Sequence, residues 1–215
     1  MILLILIDDA GSGSLIGGTI IGAMRFETKE YFYDTIPLKY YSPELFQKKM
    51  YLDYVINIVE DLFIKLNVDH SEEIYICRGY MFDKLRPWIS DNNYKYINTK
   101  IEEPLQSQIE TSFEDYTISL GFPKRFISYT KYPFHFHRIL RWVYSDYENR
   151  VNLCKTGWKS FAKYGSLPTK ISYDKIKKSR YICLKCDKKI EDNSPVKILE
   201  FRSNRPQKIY LHDYC

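Results

Sequence analysis

The chain should fold as an α/β domain, a mixed sheet flanked by helices, with a small module near its C-terminal end built around paired Cys and His residues. Three observations carry this. Apolar runs follow one another as strand, strand, strand, helix, strand, strand, helix over roughly the first 122 of 215 residues. Short turns join the first three runs and a helical crossover joins the next, which makes antiparallel and then further neighbours in one sheet. Cys and His residues then recur in two close pairs, at 183–186 and 212–215.

Residues 1–7 are a continuous apolar run, read as a strand buried on both faces. The run is far short of the roughly 18–20 residues a membrane span needs. It lacks a signal-peptide pattern, because Asp8 and Asp9 follow at once, so the expected location is the cytoplasm. Residues 8–14, Asp-Asp-Ala-Gly-Ser-Gly-Ser, read as a turn, and 15–26 and 31–39 as the next two strands of a meander. Ser42, Pro43 and Glu44 supply a cap, a first-turn proline and a first-turn acid for a helix. Leu45, Leu52, Val55, Val59, Leu62 and Leu66 form its apolar stripe, which ends over 67–71. Residues 74–77 and 94–99 read as short strands, and 104–120 as a second helix closed by Gly121.

The organisation expected is a domain over 1–125, an aromatic and basic helical extension over 126–170, and a module over 171–215. In the extension Tyr132, Phe134, Phe136, Trp142 and Tyr144 lie among Arg138, Arg141 and Arg150, and Pro133 should open a helix. Packing of these aromatics on the sheet, with the cations reaching outward, is favoured over stacking on nucleic-acid bases. His135 and His137 would share a face in a strand but not in such a helix, so metal ligation by them is not favoured. Residues 168–180 read as a polar linker.

The net charge of +5 hides an asymmetry. Residues 151–215 carry 15 Lys and Arg against 6 Asp and Glu, and the remainder carries 17 against 21. An acidic body that gathers cations and a basic tail that gathers phosphate suit a protein of nucleic acids. A merely solubilising tail would show the same charge.

Cys183-Leu184-Lys185-Cys186 and His212-Asp213-Tyr214-Cys215 are C-x2-C and H-x2-C pairs. Two such pairs supply the four soft or borderline ligands of tetrahedral zinc. Residues 196–201 and 208–211, between the pairs, read as two short strands of a zinc ribbon-like module. With four protein ligands and no open position the metal is structural, and it adds folding free energy that so small a module lacks. Cys77 and Cys154 lie outside it and read as ordinary buried thiols.

Asp8 and Asp9 form the second chemical signal. Adjacent carboxylates repel, so they call for a cation, protons or basic neighbours. Gly11, Ser12 and Gly13 follow, with backbone that a nucleic-acid strand could approach closely. The run Ile7-Asp8-Asp9-Ala10-Gly11-Ser12-Gly13-Ser14-Leu15-Ile16-Gly17-Gly18 resembles the first motif of type 2 ribonucleases H, within the ribonuclease H-like superfamily. Ile76-Cys77-Arg78-Gly79 falls where that family has a strand ending in its third Asp. The stretch from Tyr96 through Glu110 to Glu114 and Asp115 falls where it has a strand and then a helix bearing its fourth Asp. The resemblance covers about residues 1–122.

It implies a ribonuclease H-like fold and hydrolysis of RNA in RNA–DNA hybrids. It implies a divalent metal, magnesium or manganese, held by Asp8 and Asp9 with Asp115 (or Glu114) as a further catalytic ligand. It implies substrate contact through Gly11, Ser12 and Gly13. The chain departs from the family in four places. Asp9 replaces a Glu; side chains alternate along a strand, so the shorter acid reaches less far round. Ser12 replaces an Arg. Arg78 stands near the third Asp, where it would repel a metal or sit on substrate phosphate in its place. The small-residue segment before the last Asp is missing, and Glu110 or Asp83 could compensate. The function expected is a metal-dependent nuclease acting on RNA or RNA–DNA hybrid. The alternatives are a catalytically inactive nucleic-acid-binding relative and a zinc-containing module that docks a protein partner.

Overall fold

A computed structural model describes residues 3–128 and 134–215. The chain divides into two compact units. One comprises residues up to Gly13 and Gly17–Gly121, the other Ser14–Ile16 and Phe122–Cys215.

The first unit is a five-stranded mixed sheet flanked by helices. Its strands are β1 (Leu4–Ala10), β2 (Thr19–Arg25), β3 (Tyr31–Ile36), β4 (Glu73–Cys77) and β5 (Tyr96–Thr99), in the order β3-β2-β1-β4-β5. The β1–β2 and β2–β3 pairs are antiparallel, and β1–β4 and β4–β5 are parallel. β1 is central because Ile5 and Ile7 on one face and Leu6 on the other are all buried. The strand does not stop at Ile7 as expected. Asp8 pairs with Gly22 and Asp9 with Ile21, so the two acids stand within the ladder and not in a turn. β2 starts at Thr19, later than residue 15. β3 ends at Ile36 because Pro37 brings no N–H to a ladder.

The helix expected from Ser42 is two helices, α1 (Pro43–Gln47) and α2 (Met50–Leu66), divided where Lys49 takes φ 55°. α2 buries Leu52, Val55, Val59, Leu62 and Leu66 on one stripe, and its C-terminal Asn67 is left-handed at φ 50°. α3 (Leu85–Asp91) was not foreseen; Pro87 masks it, yet sits in its first turn where a missing N–H costs nothing. α4 (Leu105–Ser119) ends as expected, with Gly121 at φ 90°.

The second unit has its own core. α5 (Lys124–Ser128), α6 (Phe136–Tyr144), α7 (Tyr147–Arg150) and α8 (Lys159–Tyr164) accompany a three-stranded antiparallel sheet of β6 (Lys170–Ile176), β7 (Ser194–Arg202) and β8 (Pro206–His212). Part of the expected polar linker is thus the edge strand β6, disguised because five of its seven residues are exposed. Pro133 and Tyr132 lie outside the described residues. The aromatics do pack inward: Phe122 stacks on Phe126 and Phe134 and meets Trp142 edge-on, and Tyr144 stacks on Phe201. Not all the cations reach outward, for Lys155 is fully buried. Among the described residues no helix is long and apolar enough to cross a membrane.

Candidate functional site

The second unit brings Cys183, Cys186, His212 and Cys215 together, with their ligand atoms all within 4.8 Å of one another. Local backbone explains this. Cys183 N–H donates to Lys188 O and Asp187 N–H to Cys183 O, both at 2.9 Å, closing a tight knuckle with Asp187 at φ 62°. At the far end of β8, Cys215 N–H donates to His212 O at 3.1 Å, so one turn presents the other two ligands. The His212 ring has Nδ1 3.3 Å from Cys186 Sγ and Nε2 3.1 Å from Lys189 O. A proton on Nε2 shared with that carbonyl leaves the Nδ1 lone pair for a metal, the usual outer-shell arrangement for a ligating His.

Burial pushes the Cys183 thiol up, but N–H groups of Cys186, His212 and Lys185 outweigh it and bring the thiol down to about 7. Three sulfurs and one imidazole that converge in this way fit a tetrahedral site and could hold a metal such as zinc. Arg150 braces the knuckle in a way the sequence did not reveal. Its guanidinium donates to Leu184 O at 2.9 Å and Lys185 O at 2.8 Å and lies 4.1 Å from the Trp142 ring centroid.

The second constellation lies in the first unit, at the C-terminal end of β1. Asp8 is only 9% exposed. Its Oδ1 accepts from Asp9 N–H at 2.8 Å, and the Cys77 thiol of β4 also donates to its carboxyl. Burial raises the Asp8 pKa, the Cys77 and Asp9 hydrogen bonds oppose this, and Glu110 on α4 adds to the rise. Asp9 points the other way, towards Tyr41, Tyr80 and Gly79. This is the strand alternation that made Asp in place of Glu a concern.

On α4, burial together with the charges of Glu110 and Asp115 raises the Glu114 carboxyl, while Asp115 itself is exposed. The acid that acts on Asp8 is therefore Glu110, one helical turn before Glu114 and on the same helix face. In the sequence, spacing by four places Glu110 and Glu114 on one helix face but does not say which of them meets Asp8. Asp83 does not join; it pairs with Arg86 at 2.8 Å. Arg86 also donates to Cys77 O and Gly79 O at 2.9 and 2.8 Å, which fixes the turn carrying Arg78. Arg78 is exposed and makes no hydrogen bond or ion pair among the described residues. Cys77 is half-buried and engaged with Asp8, not an inert core thiol; Cys154 is buried, which pushes its thiol to about 12.

The glycines divide. A Cβ at Gly11, which sits at φ 85°, would overlap the edge of the Phe113 ring, so Gly11 is required by packing. Gly13 has nothing within 4 Å of where a Cβ would be, so its backbone has open space in front of it. His135 and His137 have ring centroids 5.9 Å apart. Among the described residues neither belongs to a group of three or more candidate metal ligands, and neither do the carboxylates.

No protein-family model matches the chain, and no curated protein matches it.

Proposed function

We propose that this chain is a ribonuclease H-like protein that hydrolyses a phosphodiester in RNA or in an RNA–DNA hybrid. The observation that carries the proposal is Asp8, an almost buried carboxylate on the central strand with an acid-bearing helix beside it. A sequence spends stability to keep such a charge in place, and a poised carboxyl in a polar cluster is a mark of acid–base chemistry. The order of strands and helices along the first unit and the run from Ile7 to Gly13 support the same reading. Asp8 is then the central catalytic group, Glu110, Glu114 and Asp115 form the acidic face of α4, and the open backbone at Gly13 is where substrate approaches.

The resemblance also implies magnesium or manganese. The carboxylates do not fit that ion as they stand: Asp8 and Asp9 point to opposite faces of the sheet, and no three acids gather as ligands among the described residues. In the second unit an open groove of about 560 Å³ is lined by Lys170, Arg202 and Lys208 with a single carboxylate, Glu200. It suits a polynucleotide backbone, whose binding should weaken steeply with salt because releasing condensed counterions into a more concentrated solution gains less entropy.

A second reading, a relative that binds nucleic acid without cutting it, is favoured by the same divergence of Asp8 and Asp9. Incubation of the protein with labelled RNA–DNA hybrid, duplex DNA holding one ribonucleotide, and plain RNA, with magnesium or manganese, separates the two. Cleavage that falls at least about a hundredfold in Asp8→Asn supports hydrolysis. Salt-sensitive binding with no cleavage of any substrate establishes the binding-only relative.

A further inference from the structure

We propose that Arg138, Arg141 and Arg205, with His137 at their edge, form a phosphate-binding site in the second unit. His137 and Arg141 are four residues apart on α6, and Arg138 and Arg141 three apart, so all three lie on neighbouring positions of one helix face. Arg205 comes from the turn between β7 and β8. It is close enough to repel both Arg141 and His137, and Arg138 repels Arg141 as well.

The positions are built and not accidental. Arg141 donates to Gln207 Oε1 and Lys208 O, both at 3.0 Å, which ties the hairpin to α6 and brings Arg205 to the helix. Those two bonds leave further N–H groups of Arg141 for a ligand. The Arg138 guanidinium is held over the Phe126 ring, 5.1 Å from its centroid. Nδ1 of His137 is buried without a hydrogen-bond partner.

Among the described residues no carboxylate pairs with any member of the cluster. The unit's other brought-in arginines are compensated: Arg125 pairs with Asp187, and Arg150 holds four oxygen acceptors with Asp146 close by. Like charges drawn together at partial burial cost stability unless an anion joins them. Three guanidinium groups brought near one another from two elements suit an anion with three or more oxygens, and phosphate is the one their fork geometry matches best.

Phosphate recognition stands on this cluster alone. That the phosphate belongs to a polynucleotide rests on the nucleic-acid reading above, and the experiment separates the two. Full-length protein, its double variant Arg138→Gln/Arg205→Gln, and a charge-matched control, Lys48→Gln/Lys65→Gln on the other unit, are titrated with labelled RNA–DNA hybrid over a salt series and with inorganic pyrophosphate by calorimetry. Neither Arg138 nor Arg205 makes a side-chain hydrogen bond among the described residues, so the variant should fold, and thermal unfolding checks it. Arg138→Lys, which keeps the charge and loses the fork, serves should the double variant fail to fold.

The expected result is an affinity for hybrid about tenfold or more weaker, with a log–log salt slope shallower by about two, and loss of the pyrophosphate signal. The control should leave both unchanged. Loss of pyrophosphate binding with hybrid affinity intact assigns the site to a small phosphate ligand and overturns the polynucleotide source. Unchanged binding of both probes, or an equal loss in the control, overturns the site. Absence of cleavage would sink the hydrolase reading and leave this result untouched.

Discussion

Asp8 shows how a residue's local environment becomes a property of the whole unit. Its folded pKa is raised above the ordinary 3.8, first by burial. As pH rises from below that value, the unfolded chain gives up its Asp8 proton before the folded chain does. The unfolded state then binds fewer protons, so stability falls with rising pH until the folded carboxyl has also ionised. The contribution is thus fully present below the ordinary carboxylate range and lost above the raised pKa. Asp8→Asn removes the charge and keeps the shape. In metal-free buffer it should be the more stable protein at neutral pH, with the advantage vanishing below the ordinary carboxylate range. Urea midpoints measured across pH test this. A less stable Asp8→Asn at neutral pH would mean that the Cys77 and Asp9 hydrogen bonds, and not burial, dominate at this position.

At the scale of the element, the decisive feature is how closely α4 lies on the sheet. Its inward side chains press into glycines: Phe113 against Gly11, and Ile109 against Gly22, where a Cβ would come within 3.0 Å of Ile109 Cδ1 and 2.8 Å of the Tyr31 ring. Tyr31 is itself fastened to α4 by a 3.1 Å hydrogen bond to Ser112 Oγ. That closeness is what lets Glu110 act on a carboxylate in β1. Gly22→Ala should push the helix outward and destabilise the unit by about 1–3 kcal/mol, as overpacking does. Where the chain cleaves, it should also lower turnover more than hybrid affinity. Urea unfolding and single-turnover cleavage check the two effects; an unchanged midpoint would mean Tyr31 simply swings aside.

The same elements show what could be read beforehand. A continuous apolar run located the start of β1, an apolar stripe located α2, and Pro104 and Gly121 bracketed α4, while the C-x2-C and H-x2-C pairs marked the Cys3His group that could hold a metal. β6 stayed hidden, since an edge strand with an exposed face has no apolar alternation to display. The place of Arg150 against Leu184 and Lys185 stayed hidden too, for it depends on contacts across 34 and 35 residues of chain. In the acidic constellation, Asp8 was legible as a charge ending an apolar run. Which acid of α4 acts on it was not, as that depends on the helix's rotation over the sheet.

At the scale of the molecule, each unit has its own core, yet the chain threads them together. Leu15 and Ile16, which lie in sequence between β1 and β2 of the first unit, are buried in the core of the second. Lys155 N–H donates to Leu15 O at 2.8 Å, and Ile16 bridges to Cys154. Along the chain, Gly11, Ser12 and Gly13 thus run straight into residues that belong to the unit with the Cys3His group. Removal of metal with a strong chelator should then destabilise the second unit selectively. Apparent binding free energies of about 10–16 kcal/mol in isolated zinc peptides set an upper bound, and this unit's larger apolar core should reduce the loss to several kcal/mol. Tryptophan reports the outcome by unit, because Trp88 lies in the first, and Trp142 and Trp158 lie in the second. A Trp88→Phe variant should show a thermal transition that moves down on chelation and returns with zinc, while far-UV signal from the first unit persists to its own higher midpoint. Loss of both signals in one transition would show that anchoring of Leu15 and Ile16 makes the two units unfold as one.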